Sequence, residues 1–243
     1  MEFEDDAFVL SARPHGETGA IVELITARRG KYAAHVAGAA SRRMKPALQA
    51  GARVTVRFRA RTADQLGSAT LEATGEGPSA HFDDRLALAG LASAVAVAAQ
   101  ALPEREPHPG AFLGLEALLA ALAAPDIWPA VYVRFEAGLL ADLGFGLDLS
   151  RCAVTGSADD LAYVSPRTGR AVSASAGEPY RDRLLLLPPF LLSAQGGLAA
   201  GDVGKGLAIT GHFLERFVFA PLNRPSPPAR HWLADRLAEA GRL

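Results

Sequence analysis

The chain changes its hydrophobic rhythm near residue 78, from short runs with alternating apolar positions to stretches with helical spacing. Residues 7–14 (AFVLSARP) and 19–26 (GAIVELIT) read as strands separated by the turn-like HGET. A third run, 29–36, follows almost without connection, and residues 53–61 (RVTVRFRAR) alternate strictly. Residues 69–74 close the set before the Gly-Glu-Gly-Pro punctuation at 75–78. Five short strands in so small a span predict a Greek-key barrel of the OB type.

Beyond Pro78, Asp83 and Asp84 stand at a helix start, where the dipole favours acids, and that helix runs to about residue 101. A second covers 109–123 and is ended by Pro125. A third opens with Asp126 as N-cap and Pro129 in its first turn, and continues to about residue 143. Residues 147–180 lose the helical pattern and read as an irregular insertion with short strands near 161–164 and 170–173. Helices resume over 188–198, 202–219 and 228–240. The elements predict an α+β chain, with a five-stranded OB-fold barrel over residues 1–78 and an α-helical domain over 79–243 that carries the insertion.

The uncharged stretch 86–102 is Ala-rich, contains Ser93 and Gln100 and is closed by Pro103. It is shorter than the ~20 apolar residues a spanning helix needs, so a buried core helix is expected and no membrane partner. The acidic start, MEFEDD, lacks the basic-then-apolar pattern of a secretory signal. A single cysteine, Cys152, excludes an internal disulfide framework and fits a reducing compartment, the cytoplasm.

Net charge is −1, but its distribution is uneven. Residues 13–61 hold eleven basic side chains against two acids, Glu17 and Glu23, a local balance of +9 that leaves −10 for the remainder. Such asymmetry points to a polyanionic partner for the basic part. On the 53–61 strand, Val54, Val56, Phe58 and Ala60 share one face; Arg53, Thr55, Arg57, Arg59 and Arg61 share the other. With few acids nearby in sequence, this cationic stripe suits a nucleic-acid backbone better than water alone. The Gly38–Pro46 stretch reads as a basic loop carrying Arg42, Arg43 and Lys45. With Arg28, Arg29 and Lys31 these side chains form the expected DNA-binding set. Phe58 falls on the apolar face, while Tyr32 is left open between base stacking and core.

No catalytic template is complete. Gly201-Asp-Val-Gly-Lys-Gly206 lacks the first glycine and the Ser or Thr of a phosphate loop, and His212 with Glu215 lacks the second histidine of a zinc-protease helix. Histidines 15, 35, 81, 108, 212 and 231 are dispersed. Cys152 alone cannot build a four-ligand zinc site and reads as a buried thiol. No enzyme activity and no cofactor are expected.

The chain resembles the RecO family of bacterial recombination mediators. In the first part the resemblance is carried by Phe8-Val-Leu-Ser-Ala-Arg-Pro14, Gly16-Glu-Thr18, Leu24-Ile-Thr26, Gly30, Gly38-Ala-Ala-Ser-Arg42, Leu48-Gln-Ala-Gly51 and Leu66-Gly67. Later it rests on Arg134-Phe-Glu136, Leu143-Gly-Phe-Gly146, Leu149, Cys152 and Arg224-Pro-Ser226. It implies an OB-fold followed by a helical domain with a zinc-ribbon-like insertion. It also implies binding of single- and double-stranded DNA, strand annealing, and action with RecR and the tail of the single-strand-binding protein to help load RecA. The family's basic barrel loop falls on Arg42, Arg43 and Lys45. Its arginine for the single-strand-binding protein tail falls on Arg134, with Leu139 and Leu140 as pocket lining. Zinc-bearing members carry four cysteines where this chain has Cys152 alone, so the ribbon shape is expected without metal. An RNA-binding OB module with a helical interaction domain is the alternative of a different class.

Overall fold

The computed structural model describes residues 1–62, 65–75, 77–78, 83–193 and 195–243. Strands β1 (Glu2–His15), β2 (Gly19–Thr26), β3 (Gly30–Val36), β4 (Arg53–Arg59) and β5 (Gly67–Ala73) close a barrel in the order β1-β2-β3-β5-β4. Only β3 and β5 run parallel, which is the OB arrangement. The alternate positions point inward: Phe3, Val9, Val22, Leu24, Val54, Val56 and Phe58 fill the barrel. Tyr32 joins them, edge-on to Phe3 at 5.2 Å and to Phe58 at 5.1 Å, so it is core and not a base-stacking platform.

Strand β1 begins at Glu2, where the hydrophobic pattern predicts a strand only from residue 7. Its first half pairs with β4 and its second with β2. A register shift between Val9 and Ser11 marks the changeover. A bulge there bends the strand so that one segment can serve two sides of a small barrel.

After the barrel come α1 (Arg85–Ala101), α2 (Pro109–Ala121) and α3 (Trp128–Asp142). Asp84 caps α1, its carboxylate accepting from the Leu86 and Ala87 N–H groups. Asp126 does not cap α3, which starts at Trp128; its carboxylate pairs with Arg242 at 2.7 Å. The insertion forms a three-stranded sheet of β6 (Leu161–Val164), β7 (Ala171–Ser173) and β8 (Leu185–Leu186), in the order β7-β6-β8. It therefore reaches beyond the expected limit of residue 180. Short α4 (Ala174–Gly177) and α5 (Pro189–Leu192) precede α6 (Asp202–Leu214), a π-helical turn (Glu215–Phe219) and α7 (Pro228–Glu239).

The helix expected over 188–198 stops at Leu192. The chain folds back there: a Cβ on Gly196 would lie 2.2 Å from the Pro189 carbonyl oxygen, and Arg134 takes the carbonyls of Phe190 and Ser193.

The barrel is seated on the helices. Phe8, Leu10 and Ile25 point outward from it into the helical core, and Phe8 meets Phe112 at 4.9 Å between ring centres. Gly30 has φ +83°, and the Glu106 backbone approaches so closely that a Cβ would fall 1.8 Å from its carbonyl oxygen. No helix among the described residues is long and apolar enough to cross a membrane. The expected boundary after residue 78 adjoins residues 79–82, and His81 with them lies outside the described residues.

Candidate nucleic-acid interface

The antiparallel register of β1 on β4 sets Glu2 opposite Arg59, Glu4 opposite Arg57 and Asp6 opposite Thr55. All these side chains face outward, and the charged ones pair. Arg57 Nε donates to Glu4 at 2.7 Å and Arg59 Nε to Glu2 at 2.8 Å. Arg53 lies 2.6 Å from Glu116 of α2 and 3.5 Å from Asp6. The hydrogen bond and charge of Glu4 hold the Arg57 guanidinium above its ordinary pKa. The expected cationic stripe is thus a ladder of ion pairs. Glu116 apart, its carboxylates come from residues 2–6, just ahead of the basic stretch, so the few acids within that stretch misrepresent the surface.

Lys31 is also placed otherwise than expected. It is 8% exposed and its ammonium donates to the Ala99 carbonyl of α1 at 2.6 Å, so it joins barrel to helix and presents no charge to a ligand. Burial lowers its pKa, against the opposing charges of Glu23 and Glu104. Arg28 is exposed but bound at 3.0 Å to the buried Asp5 carboxylate. Arg29 is exposed and lies over the Phe3 ring at 4.7 Å. Arg61, exposed beyond the end of β4, has no ion pair among the described residues.

The loop between β3 and β4 behaves differently. Ala39 and Ala47 are buried in the barrel core, with Met44 and Leu48 packed beside them. Successive turns are held by Ser41 N–H to the Gly38 carbonyl and Met44 N–H to the Ser41 carbonyl, both 3.1 Å. Ala40 N–H reaches the Thr18 carbonyl at 3.2 Å, fastening the loop beside the β1–β2 turn. With its apolar residues inserted, Arg42, Arg43 and Lys45 are left exposed, with no acid partner among the described residues. Arg13, exposed on the part of β1 that leads to the same turn, is likewise unpaired among them. Arg13 belongs to the basic count but not to the expected set. Pinned cations of this kind can meet a polyanion at little cost in ordering.

In the helical part Arg134 is half-buried, its Nε 3.0 Å from the Phe190 carbonyl oxygen. Leu139 and Leu140 are fully buried in the core and line no surface pocket. Two residues on, Glu136 forms a buried pair with Arg230 at 2.7 and 2.9 Å and also accepts from Tyr132 and Thr210. Burial works against the Arg230 charge, but Glu136 holds its pKa above the ordinary value. This network ties α3, α6 and α7 together, and no local spacing announces a pair 94 residues apart.

Cys152 is buried, and its sulfur accepts from Ser173 N–H (3.3 Å), Ser173 Oγ (3.4 Å) and Thr155 N–H (3.4 Å). Burial pushes the thiol up, yet these donors bring it down to about 6. Among the described residues no group of three His, Cys, Asp or Glu side chains is disposed to hold a metal ion.

The family described as Recombination protein O N terminal matches residues 1–74, and Recombination protein O C terminal matches residues 83–225. A curated relative described as DNA repair protein RecO, from Phenylobacterium zucineum (strain HLK1), is 75% identical over 243 residues, covering both chains completely. One of the same description from Caulobacter sp. (strain K31) is 76% identical over 243 residues, again the whole of both. One from Rhodospirillum centenum (strain ATCC 51521 / SW) is 52% identical over 242 residues, 99% of this chain and 96% of the relative.

Proposed function

The chain belongs to the RecO family of DNA repair proteins, and from that premise we propose that it binds single- and double-stranded DNA through the end of its barrel and anneals complementary strands. The supporting observation is the pinned loop bearing exposed Arg42, Arg43 and Lys45, with Arg13 beside it. Arg61, and Arg29 at the β2–β3 hairpin, the end of those strands away from the loop, are further exposed cations; Arg28, Arg53, Arg57 and Arg59, already held by carboxylates, contribute less, and Lys31 contributes nothing. On this reading residues 1–78 are the nucleic-acid-binding unit and residues 79–243 the partner-binding unit. The protein performs no hydrolysis and needs no cofactor.

The family resemblance extends the proposal to partners: RecR, the acidic tail of the single-strand-binding protein, and RecA indirectly, all in the cytoplasm. Arg134 is the proposed contact for that tail. Its Nη1 has no hydrogen-bond partner among the described residues, while the other guanidinium nitrogens are fixed on backbone carbonyls. An incoming carboxylate would thus meet an oriented donor.

Fluorescence titration of the full chain with single-stranded DNA at two salt concentrations tests the reading. Binding should weaken steeply with salt, because neutralised phosphates release counterions. Competition with RNA of equal length separates it from the RNA-binding alternative. Salt-independent binding, or a clear preference for RNA, would overturn it.

A further inference from the structure

A surface that is both aromatic and cationic lies far along the chain from the barrel loop, where the insertion meets the end of α6. Three rings stand nearly parallel there. Phe217 stacks on Phe213 at 6.0 Å and 6°, and Phe145 stacks on Phe217 at 5.4 Å and 12°. Phe213 is buried in the core, whereas Phe145, the outermost, is 40% exposed. Arg216 lies over the Phe217 ring at 5.2 Å, and its Nη1 donates to the Pro166 carbonyl at 3.0 Å. His212 is fixed on that same oxygen at 2.9 Å, its Nε2 serving as donor. Next to Pro166 stands Arg167, exposed and with no ion-pair partner among the described residues.

The backbone is shaped for this surface. Arg216 and Phe217 sit in the π-helical turn, closed by Ala220 N–H to the Glu215 carbonyl at 2.9 Å. Such a turn is rare, and where it occurs it is frequently at a functional site. Asp148 is held by Arg170 and Ser150, while Glu215, beside Arg216, is exposed and has no ion-pair partner among the described residues.

We propose that Phe145, Arg167 and Arg216 form a second site for single-stranded nucleic acid, in which a base stacks on Phe145 and the arginines take the adjoining phosphates. Stacking platforms beside guanidinium groups are what sequence-tolerant strand binding requires. The inference rests on the reading that this chain binds DNA, and it gives the protein separate places for two strands.

The test is a stoichiometric titration of the full chain with oligo(dT) of about ten nucleotides, a length one such site accommodates. Iodouracil-substituted oligonucleotide then maps the contacts by photo-cross-linking and peptide mass analysis. The wild type should take two strands per chain at low salt, with cross-links at Phe145 or Phe217. The double variant R167E/R216A should take one and lose those cross-links. F145A should weaken the second binding step about tenfold, the loss of one base–aromatic stack. Arg167 is exposed and unpaired among the described residues, so R167E alone, which should also weaken that step, guards against misfolding as the cause. A wild type that binds one strand, with cross-links confined to the barrel, overturns this inference and leaves the DNA reading intact. So does displacement at this surface by an acidic peptide but not by oligo(dT). A wild type that binds no strand overturns the DNA reading itself.

Discussion

The barrel carries two sets of guanidinium groups that look alike in sequence and differ on the surface. Strand β4 presents Arg53, Arg57 and Arg59 on one outward face, each within an ion pair. The loop before it presents Arg42, Arg43 and Lys45 with no carboxylate partner among the described residues. What separates them is register. A strand is obliged to lie beside other strands, and one neighbour of β4 is the acidic beginning of β1, while Arg53 also meets Glu116 of α2. The loop touches the barrel through alanines, Met44 and Leu48, which offer no countercharge. Cation density along a chain therefore says less about a ligand than what the fold lays alongside it.

The strongest consequence of pairing lies inside the helices. Glu136→Ala strands the Arg230 guanidinium in the core and should cost ~3–5 kcal/mol, read by denaturant unfolding. Strand binding by the molecules that remain folded should be unchanged. Next in size is the triple variant R42A/R43A/K45A. Its affinity for single-stranded DNA at low salt should fall more than about tenfold. The slope of log affinity against log salt should flatten by about 2, or ~0.7 for each lost phosphate contact. A smaller effect, opposite in sign, follows from uncovering the ladder. Glu2→Gln with Glu4→Gln frees Arg57 and Arg59 and should tighten binding about threefold, an increment of sequence-independent phosphate attraction. Smallest is R57A/R59A: affinity should shift by less than about twofold, with a slight loss of thermal stability, since exposed ion pairs add little. A large loss of binding there would restore the strand as the contact surface.

Much of this fold is legible in the sequence because alternation and helical spacing are local. The limits of β2 and the span of β6 follow the hydrophobic pattern residue for residue. Asp84 is readable as a helix start because its carboxylate acts on N–H groups of the next turn. The first half of β1 is not, because Asp5 is buried at an inward position and, beside Asp6, masks the alternation. With that half-strand hidden, the carboxylates facing β4 were hidden too. The 188–198 helix fails because its end depends on Arg134, far away in the chain. The Glu136–Arg230 pair is invisible for the same reason. The loop cations are legible as charges, but their freedom follows from the burial of Ala39 and Ala47 against the barrel interior.

The central claim is that the loop, and not the arginine strand, meets the phosphate backbone. Phenylglyoxal modification of arginines, with and without bound single-stranded DNA at low salt and mapped by peptide mass analysis, tests it most directly. DNA should protect Arg42 and Arg43 while Arg57 and Arg59 react at unchanged rates. Protection of Arg57 and Arg59, with Arg42 and Arg43 left reactive, would contradict it.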